Sequence, residues 1–426
     1  MENKTNGSEV YDVVVIGGGP SGIMAAGRAA ELGAKVLLIE KNRKLGKKLL
    51  LTGKGRCNLT QAEFDTRKFI EKFGKKGRFL FSPLSIFGIK ETIDFFEKRG
   101  LRIKIERGQR AFPENDKSES VLSVLKKYLR DNGVAIMTGA KVLKFRKQKN
   151  NIRGVLLAPK KEILAKNFII ATGGKSYPET GSTGSGIQWA KTLGHSISDL
   201  SPVLTPIVID DAWVKDLKGL ALKNIEISVI QKKKKEAKFF GEMLFTHFGV
   251  SGPIILDMSK LVGKLLKKGG VVLSFDLKPA LDEQKLDKRL QRDFIKYSKK
   301  SFNNSLDDLL PKRMIPVIIN LSGIDEKKRI SEITKEERQK LVKLLKNLKV
   351  KVKKLCGFKM AIVTSGGVNL DEIDSRSMKS KIINNLFFAG EVIDLDGPTG
   401  GYNLQLCWTT GYVAGESAAI SVNKHF

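Results

Sequence analysis

The chain predicts an α/β fold: a parallel sheet covered by helices, interrupted by an inserted β-barrel and a small helical domain. Three observations predict it. A charge-free, β-branched run, Val13–Ile16, is followed by a glycine turn, an alanine-rich helix pattern and a second apolar run, the βαβ order of a parallel sheet. Residues 203–277 then change to short runs of alternating polar and apolar residues, and 282–349 turn helical and rich in Lys, Asp and Glu. With 426 residues, 41% of them hydrophobic and 29% charged, the chain is long enough for more than one buried core. That composition excludes a wholly disordered chain, a collagen and a polytopic membrane protein. The polar start and the shortness of the first apolar run give no secretory signal.

Each element follows in order. Tyr11–Gly17 reads as a strand buried on both faces, Ile23–Leu32 as a helix closed by Gly33, and Lys35–Glu40 as a second buried strand. Residues 41–60 read as a glycine-rich basic loop with a short helical turn. Helices are expected at Ile86–Arg99 and Ser118–Asn132, with a pair of short strands around Arg102–Arg110 between them. Strands follow at Ala135–Phe145, Gly154–Leu157 and Asn167–Ala171. Leu341, Leu344, Leu345 and Leu348 have the spacing of one amphipathic helix within 337–355. The last block, Asn385–Ile420, reads as a strand, a glycine-rich loop and a long helix. Lys232–Lys235 reads as a solvated hairpin turn.

The chemistry concentrates at the first turn, Gly17-Gly18-Gly19-Pro20-Ser21-Gly22. Gly17 permits a sharp turn, Gly19 lets a pyrophosphate approach the backbone, and Gly22 lets helix and strand pack closely. The helix N-terminus receives phosphates through free N–H groups and its positive end. Glu40, at the end of the second strand, stands where a carboxylate accepts hydrogen bonds from ribose hydroxyls. Strand, turn, helix and acid together define a Rossmann-like dinucleotide-binding unit. Two further elements point to FAD rather than NAD. One is Ala171-Thr172-Gly173-Gly174 at the end of a strand. The other is Phe388-Ala-Gly390-Glu391 with Gly397-Pro-Thr-Gly400-Gly401-Tyr402-Asn403-Leu404-Gln405, where a helix start faces the flavin pyrimidine and stabilises its reduced, anionic form.

These elements together resemble the FAD domain of the glutathione-reductase-like flavoproteins. More narrowly, Thr52-Gly-Lys-Gly-Arg-Cys-Asn58, Ala171–Gly184, Leu244–Pro253 and Gly397–Gln405 resemble the bacterial aminoacetone-oxidase-like FAD-binding family, which includes bile-acid-reducing flavoproteins. The resemblance spans nearly the whole chain. It implies a FAD domain split by an inserted barrel and a helical domain. The expected boundaries are 1–195 for the first part of the FAD domain, 196–280 for the barrel, 281–345 for the helical insert, 346–356 for the barrel's return and 357–426 for the C-terminal part. The insert is expected to cover the flavin and shape the substrate pocket.

The expected cofactor contacts are Gly17 to Gly22, Glu40, Lys41, Gly55, Arg56, Cys57, Asn58, Val142, Ala171, Thr172, Gly173, Gly174, Gly390, Glu391, Gly401, Tyr402, Asn403 and Leu404. The loop Thr52–Asn58 is expected along the flavin ring, with Arg56 near its polar edge. His247, between aromatic neighbours, reads either as a proton donor beside the flavin or as a core histidine; Tyr402 and Tyr177 are alternative acids. Cys57 has no CxxxxC partner, so electrons pass from flavin directly to a small substrate. The spacing of His, Cys, Asp and Glu gives no metal site.

The expected activity is an FAD-dependent oxidoreductase moving a hydride between flavin and a small organic substrate, with NAD(P)H as an optional transient donor. Three scattered cysteines fit a reducing cytoplasm. Lys+Arg 77 against Asp+Glu 45 leaves +32, which reads as a solvated lysine bias or as the mark of an RNA-acting, tRNA-modifying flavoprotein. A non-catalytic flavin-binding redox sensor is the third reading.

Overall fold

A computed structural model describes residues 10–423; the polar start read from the sequence, 1–9, lies outside the described residues. The chain divides into two compact units, Met1–Pro202 with Ile362–Phe426, and Val203–Ala361. The first boundary falls later than the composition change at 195/196. Backbone hydrogen bonds from Ser198 N to Gly367 O (2.9 Å) and from Asn369 N to Ser196 O (3.0 Å) keep 196–198 with the first unit.

The first unit is built on a seven-stranded sheet. Its strands are β1 (Val10–Ile16), β2 (Val36–Glu40), β3 (Ala135–Thr138), β4 (Val142–Gln148), β5 (Asn151–Leu157), β6 (Glu162–Ile170) and β7 (Leu386–Phe388). The order is β3-β2-β1-β6-β5-β4, with β7 also paired to β6. β3, β2, β1, β6 and β7 run parallel, and β5 pairs antiparallel with β6 on one side and β4 on the other. The stretch expected as one strand at Ala135–Phe145 is two, broken at Gly139, where φ is +69°. In register, Val15 faces Leu38 on one side and Ile169 on the other. Val13, Val14, Val15, Leu38 and Ile169 are fully buried, as central parallel strands require.

Helix α1 (Pro20–Glu31) covers one face with Ile23, Met24, Ala25, Ala26 and Ala29. The expected Ser118 helix is α2 (Ser118–Asp131), and α3 (Ser185–Thr192) follows β6. The last helix, α4 (Tyr402–Asn423), crosses α1 closely. A Cβ at Gly411 would lie 2.4 Å from Ser21 O, and one at Gly415 2.2 Å from Ala25 O, so small residues set the helix separation.

The second unit contains a closed barrel. Its strands run Ile207–Ile209, Gly249–Ser251, Lys234–Thr246, Ala221–Gln231, Val272–Asp276 and Leu348–Leu355 around the ring, which Ile207 closes against Leu355. Helices Glu283–Lys296, Ile315–Ser322 and Lys335–Lys346 form the helical part, the last started by a Thr334/Glu337 capping box. Two sequence readings are corrected here. A helix, Pro253–Leu266, stands inside the stretch read as continuous β structure; it buries Ile254, Ile255, Met258, Val262 and Leu265 at helical spacing. The leucine helix ends at Lys346, and Leu348, Val350 and Val352 alternate with exposed lysines as a barrel strand.

Candidate functional site

β1, β2 and β6 end together at the point where strand order reverses around β1, the position at which open α/β sheets bind ligands. There Ala171 N bonds to Ile16 O at 2.9 Å, and Gly17 N bonds to Ile39 O at 2.8 Å. The loops that follow enclose a cavity of about 670 Å³ within the first unit, inside the range of about 300–1,000 Å³ common for small-molecule and cofactor sites.

The glycine turn forms one wall. A Cβ at Gly22 would lie 1.8 Å from Gly17 O, so Gly22 serves the contact between turn and helix. A Cβ at Gly19 would meet nothing within 4 Å, and its φ is −86°, so only the cavity lies in front of it. Gly19 caps α1 without a side-chain bond and Pro20 has no N–H, so Ser21 and Gly22 present backbone donors at the positive end of the helix. Glu40 is buried; its Oε2 accepts from Gly18 N and its Oε1 from Asn42 N, both at 2.7 Å. Oε2 keeps one lone pair for a further donor.

The other walls come from distant parts of the chain. Ala171, Thr172 and Gly173 follow β6, Val142 opens β4, and Asn403, Leu404 and Cys407 belong to the first turns of α4. Thr172 Oγ1 is buried without a partner, which fits a site built for a polar ligand. Lys41 Nζ donates to Thr183 Oγ1 at 2.9 Å, and burial lowers its pKa. Lys48 pairs with Glu391 at 2.7 Å, and Glu391 also accepts from Thr364 N at 2.8 Å.

Several expected contacts do not line the cavity. Arg56 is held by Glu106 and by Asp116 (2.6 Å), and its guanidinium lies 4.0 Å over the Phe112 ring. These carboxylates raise its pKa and satisfy the charge that was expected at the flavin edge. Cys57 is wholly buried, and burial pushes its thiol up to about 12. Gly55 and Asn58 stay with this loop, off the cavity wall. The Tyr402 ring packs at 4.9 Å from Phe69 and 6.1 Å from Phe73, and Gly401 packs on the Thr60 backbone. Gly174 and Gly390 pack on Thr364 and Ser21. His247 lies in an exposed turn of the barrel unit, and His195 bonds Ser380 Oγ at 2.8 Å inside the first unit. Among the described residues no cluster of His, Cys, Asp and Glu could hold a metal ion.

Sequence reasoning missed Asn42, Lys47, Lys48, Thr180, Ser182 and Thr183, all on the cavity wall. The run Thr180–Thr183 sits inside the Ala171–Gly184 string already quoted, so its small hydroxyl residues were the available signal.

An open glycine turn, a helix end and a buried acid at a sheet switch point define a dinucleotide-cofactor protein of the doubly wound class. Over residues 11–417 the sequence matches the family described as "HI0933-like protein Rossmann domain", and the chain belongs to it. It is 32% identical over 408 residues to "3-dehydro-bile acid delta(4,6)-reductase" of Clostridium scindens, covering 95% of this chain and 98% of that protein. It is 27% identical over 412 residues to "Ribosomal RNA dihydrouridine synthase" of Escherichia coli, covering 96% and 98%. The 3-ketosteroid delta1-dehydrogenase structure from Sterolibacterium denitrificans shares the fold, with a TM-score of 0.55 at 12% identity over 97% of this chain and 100% of that one. The chain is an FAD-binding oxidoreductase. The open space before Gly19, the unpartnered Thr172 hydroxyl and the lysines around the cavity fit that cofactor's pyrophosphate and polar edges.

Proposed function

We propose that the protein reduces a carbon–carbon double bond conjugated to a carbonyl group. One observation carries this reading. Relatives that match end to end are named for substrates of very different size, a 3-oxo bile acid and a uridine in RNA, yet both names describe saturation of such a bond. When bound, FAD supplies the hydride, replenished by NAD(P)H.

The chain's own residues hold and shield that chemistry. Ser21 and Gly22 N–H groups receive the pyrophosphate, and Glu40 accepts from a ribose hydroxyl. Asn403 fixes the start of α4 by bonding Gly397 in both directions at 2.9 Å. The N–H groups of that helix start stabilise negative charge on the flavin. Cys57 and Cys407 are separate free thiols, so electrons go to the substrate without a disulfide relay. The primary substrate reading is a small conjugated ketone, with the enzyme in the cytoplasm. A second reading, a uracil base in RNA, is favoured by the +32 charge.

Anaerobic bleaching of the flavin tests the reaction. Bleaching by NADH or NADPH, followed by reoxidation with a 4-en-3-one or 4,6-dien-3-one steroid, is expected for the first reading. Reoxidation only by ribosomal RNA, leaving dihydrouridine, selects the second. Bleaching only by an amine overturns the proposal in favour of an amine oxidase.

A further inference from the structure

Two lysine runs far apart in sequence are brought together at one end of the barrel. The strands Ala221–Gln231 and Lys234–Thr246 form a hairpin in which Gln231 pairs with Lys234, leaving Lys232 and Lys233 as a two-residue turn. The Gln231 side-chain amide donates to Leu265 O at 2.8 Å and to Gly269 O at 3.1 Å. That amide fastens the hairpin to the end of helix Pro253–Leu266, where Lys264 stands in the last turn and Lys268 just past the C-cap. Lys232, Lys233, Lys234, Lys235, Lys264 and Lys268 are all exposed, and none takes part in an ion pair among the described residues. Glu236, on the returning strand, is the acid beside the turn.

The turn itself breaks a local rule. Lys232 and Lys233 both hold left-handed backbone, with φ of +49° and +64°. Two-residue hairpins of this kind favour Asn-Gly, because both central positions need positive φ. Two lysines there cost conformational energy that the fold does not require. Backbone held in such a sparsely populated region is a reason to ask what the position does.

We propose that this basic pole of the barrel is a contact surface for the phosphate backbone of RNA, an inference that rests on the RNA reading above. Six ammonium groups on two clamped segments give a dense positive field, and the exposed aromatic of strand Lys234–Thr246, Phe240, lies further along it, away from the turn. That chemistry recognises phosphates and not bases. A lipid surface would call for apolar residues beside the charge, and the turn presents none.

The test uses the full-length flavin-loaded protein and ribosomal RNA stripped of its proteins, with binding followed against salt. A variant carrying Lys232→Glu, Lys233→Glu, Lys264→Glu and Lys268→Glu is compared with one carrying Lys288→Glu, Lys299→Glu, Lys327→Glu and Lys335→Glu, which removes equal charge elsewhere. The pole variant is expected to bind at least tenfold more weakly at about 0.15 M salt, its log–log salt slope smaller by about one per lysine. The control should keep its binding, and both should keep wild-type flavin bleaching. Lys232→Asn with Lys233→Gly should raise Tm while weakening RNA binding. Equal loss in both charge variants, or none in the pole variant while the wild type binds, overturns the surface and leaves the RNA reading standing. A wild type with no salt-dependent RNA binding overturns both. Binding to phosphatidylserine vesicles but not to RNA assigns the pole to a membrane surface instead.

Discussion

Gly19 and Gly22 lie three positions apart in one turn and answer to different demands. A side chain at Gly22 would strike the Gly17 carbonyl oxygen, a backbone atom that cannot swing away. Gly22→Ala is therefore expected to cost about 1–3 kcal/mol or more, read as a lowered Tm of the flavin-free protein. A side chain at Gly19 meets open space, so Gly19→Val should leave that Tm unchanged and abolish flavin retention, measured as absorbance per polypeptide. A yellow Gly19→Val protein would show that the phosphates do not pass here. The thiols give a second check. Burial pushes Cys57 and Cys407 up to about 12, so both stay protonated near pH 8. A thiol reagent should react slowly with Cys57, which is wholly buried, in the native protein and quickly after denaturation. Rapid native labelling of Cys57 would contradict the packing. The turn was legible in the sequence because its logic is local: six consecutive residues, a strand before and a helix after. Arg56 was not, because the carboxylates that claim it lie 50 and 60 positions away.

Among the elements, α4 does most to join distant parts of the first unit, and Gln405 is its fastening. The side chain is fully buried; its oxygen accepts from Thr60 Oγ1 at 2.6 Å, and its nitrogen donates to Thr92 Oγ1 (2.7 Å) and Thr409 Oγ1 (2.9 Å). Trp408 Nε1 adds a bond to Leu59 O at 2.9 Å. These contacts tie the helix start to the segments 59–60 and 88–92. Gln405→Leu keeps the volume and strands polar partners, so a loss of about 1–3 kcal/mol is expected in urea unfolding. Wild-type stability in that variant would show the network to be incidental. Strand β1 carries a pH signature. Asp12 accepts from Lys35 N at 2.9 Å and pairs with Lys166 at 2.9 Å. These partners outweigh the burial that opposes them and hold its carboxyl below the usual range. A depressed carboxyl stabilises the fold above its unfolded pKa, near 4, and loses that effect as pH falls through the folded value. Asp12→Asn should thus cost a few tenths to about 1 kcal/mol at pH 7, and the gap should close below about pH 4. An unchanging gap would assign the effect to something other than charge. The order of elements was readable from runs and turns, whereas helix Pro253–Leu266 was hidden because its apolar residues sit within a stretch dominated by alternation.

At the scale of the molecule, the described residues form two hydrophobic cores, one belonging to each unit. The cavity is walled only by residues of the first, so FAD should raise hydrogen-exchange protection in β1, β2 and β6 and leave the barrel strands as they were. Equal gains in both units would show that the ligand's free energy spreads through the chain. No helix among the described residues is long and apolar enough to cross a membrane. Net charge was plain from composition, but the meeting of two lysine runs at one pole of the barrel was not, because a glutamine side chain joins the segments that carry them. The cavity wall also has a history written into the order of the chain. Its residues are drawn from Ile16 near the start through to Cys407 in the last helix. A nascent polypeptide still threaded through the ribosome at residue 400 has translated the glycine turn and all of the barrel, yet lacks the segment that closes the cradle. Closure of the cradle therefore requires a chain that extends through Asn403, Leu404 and Cys407, and a chain truncated before them is expected to retain less of the coenzyme, read as absorbance per polypeptide.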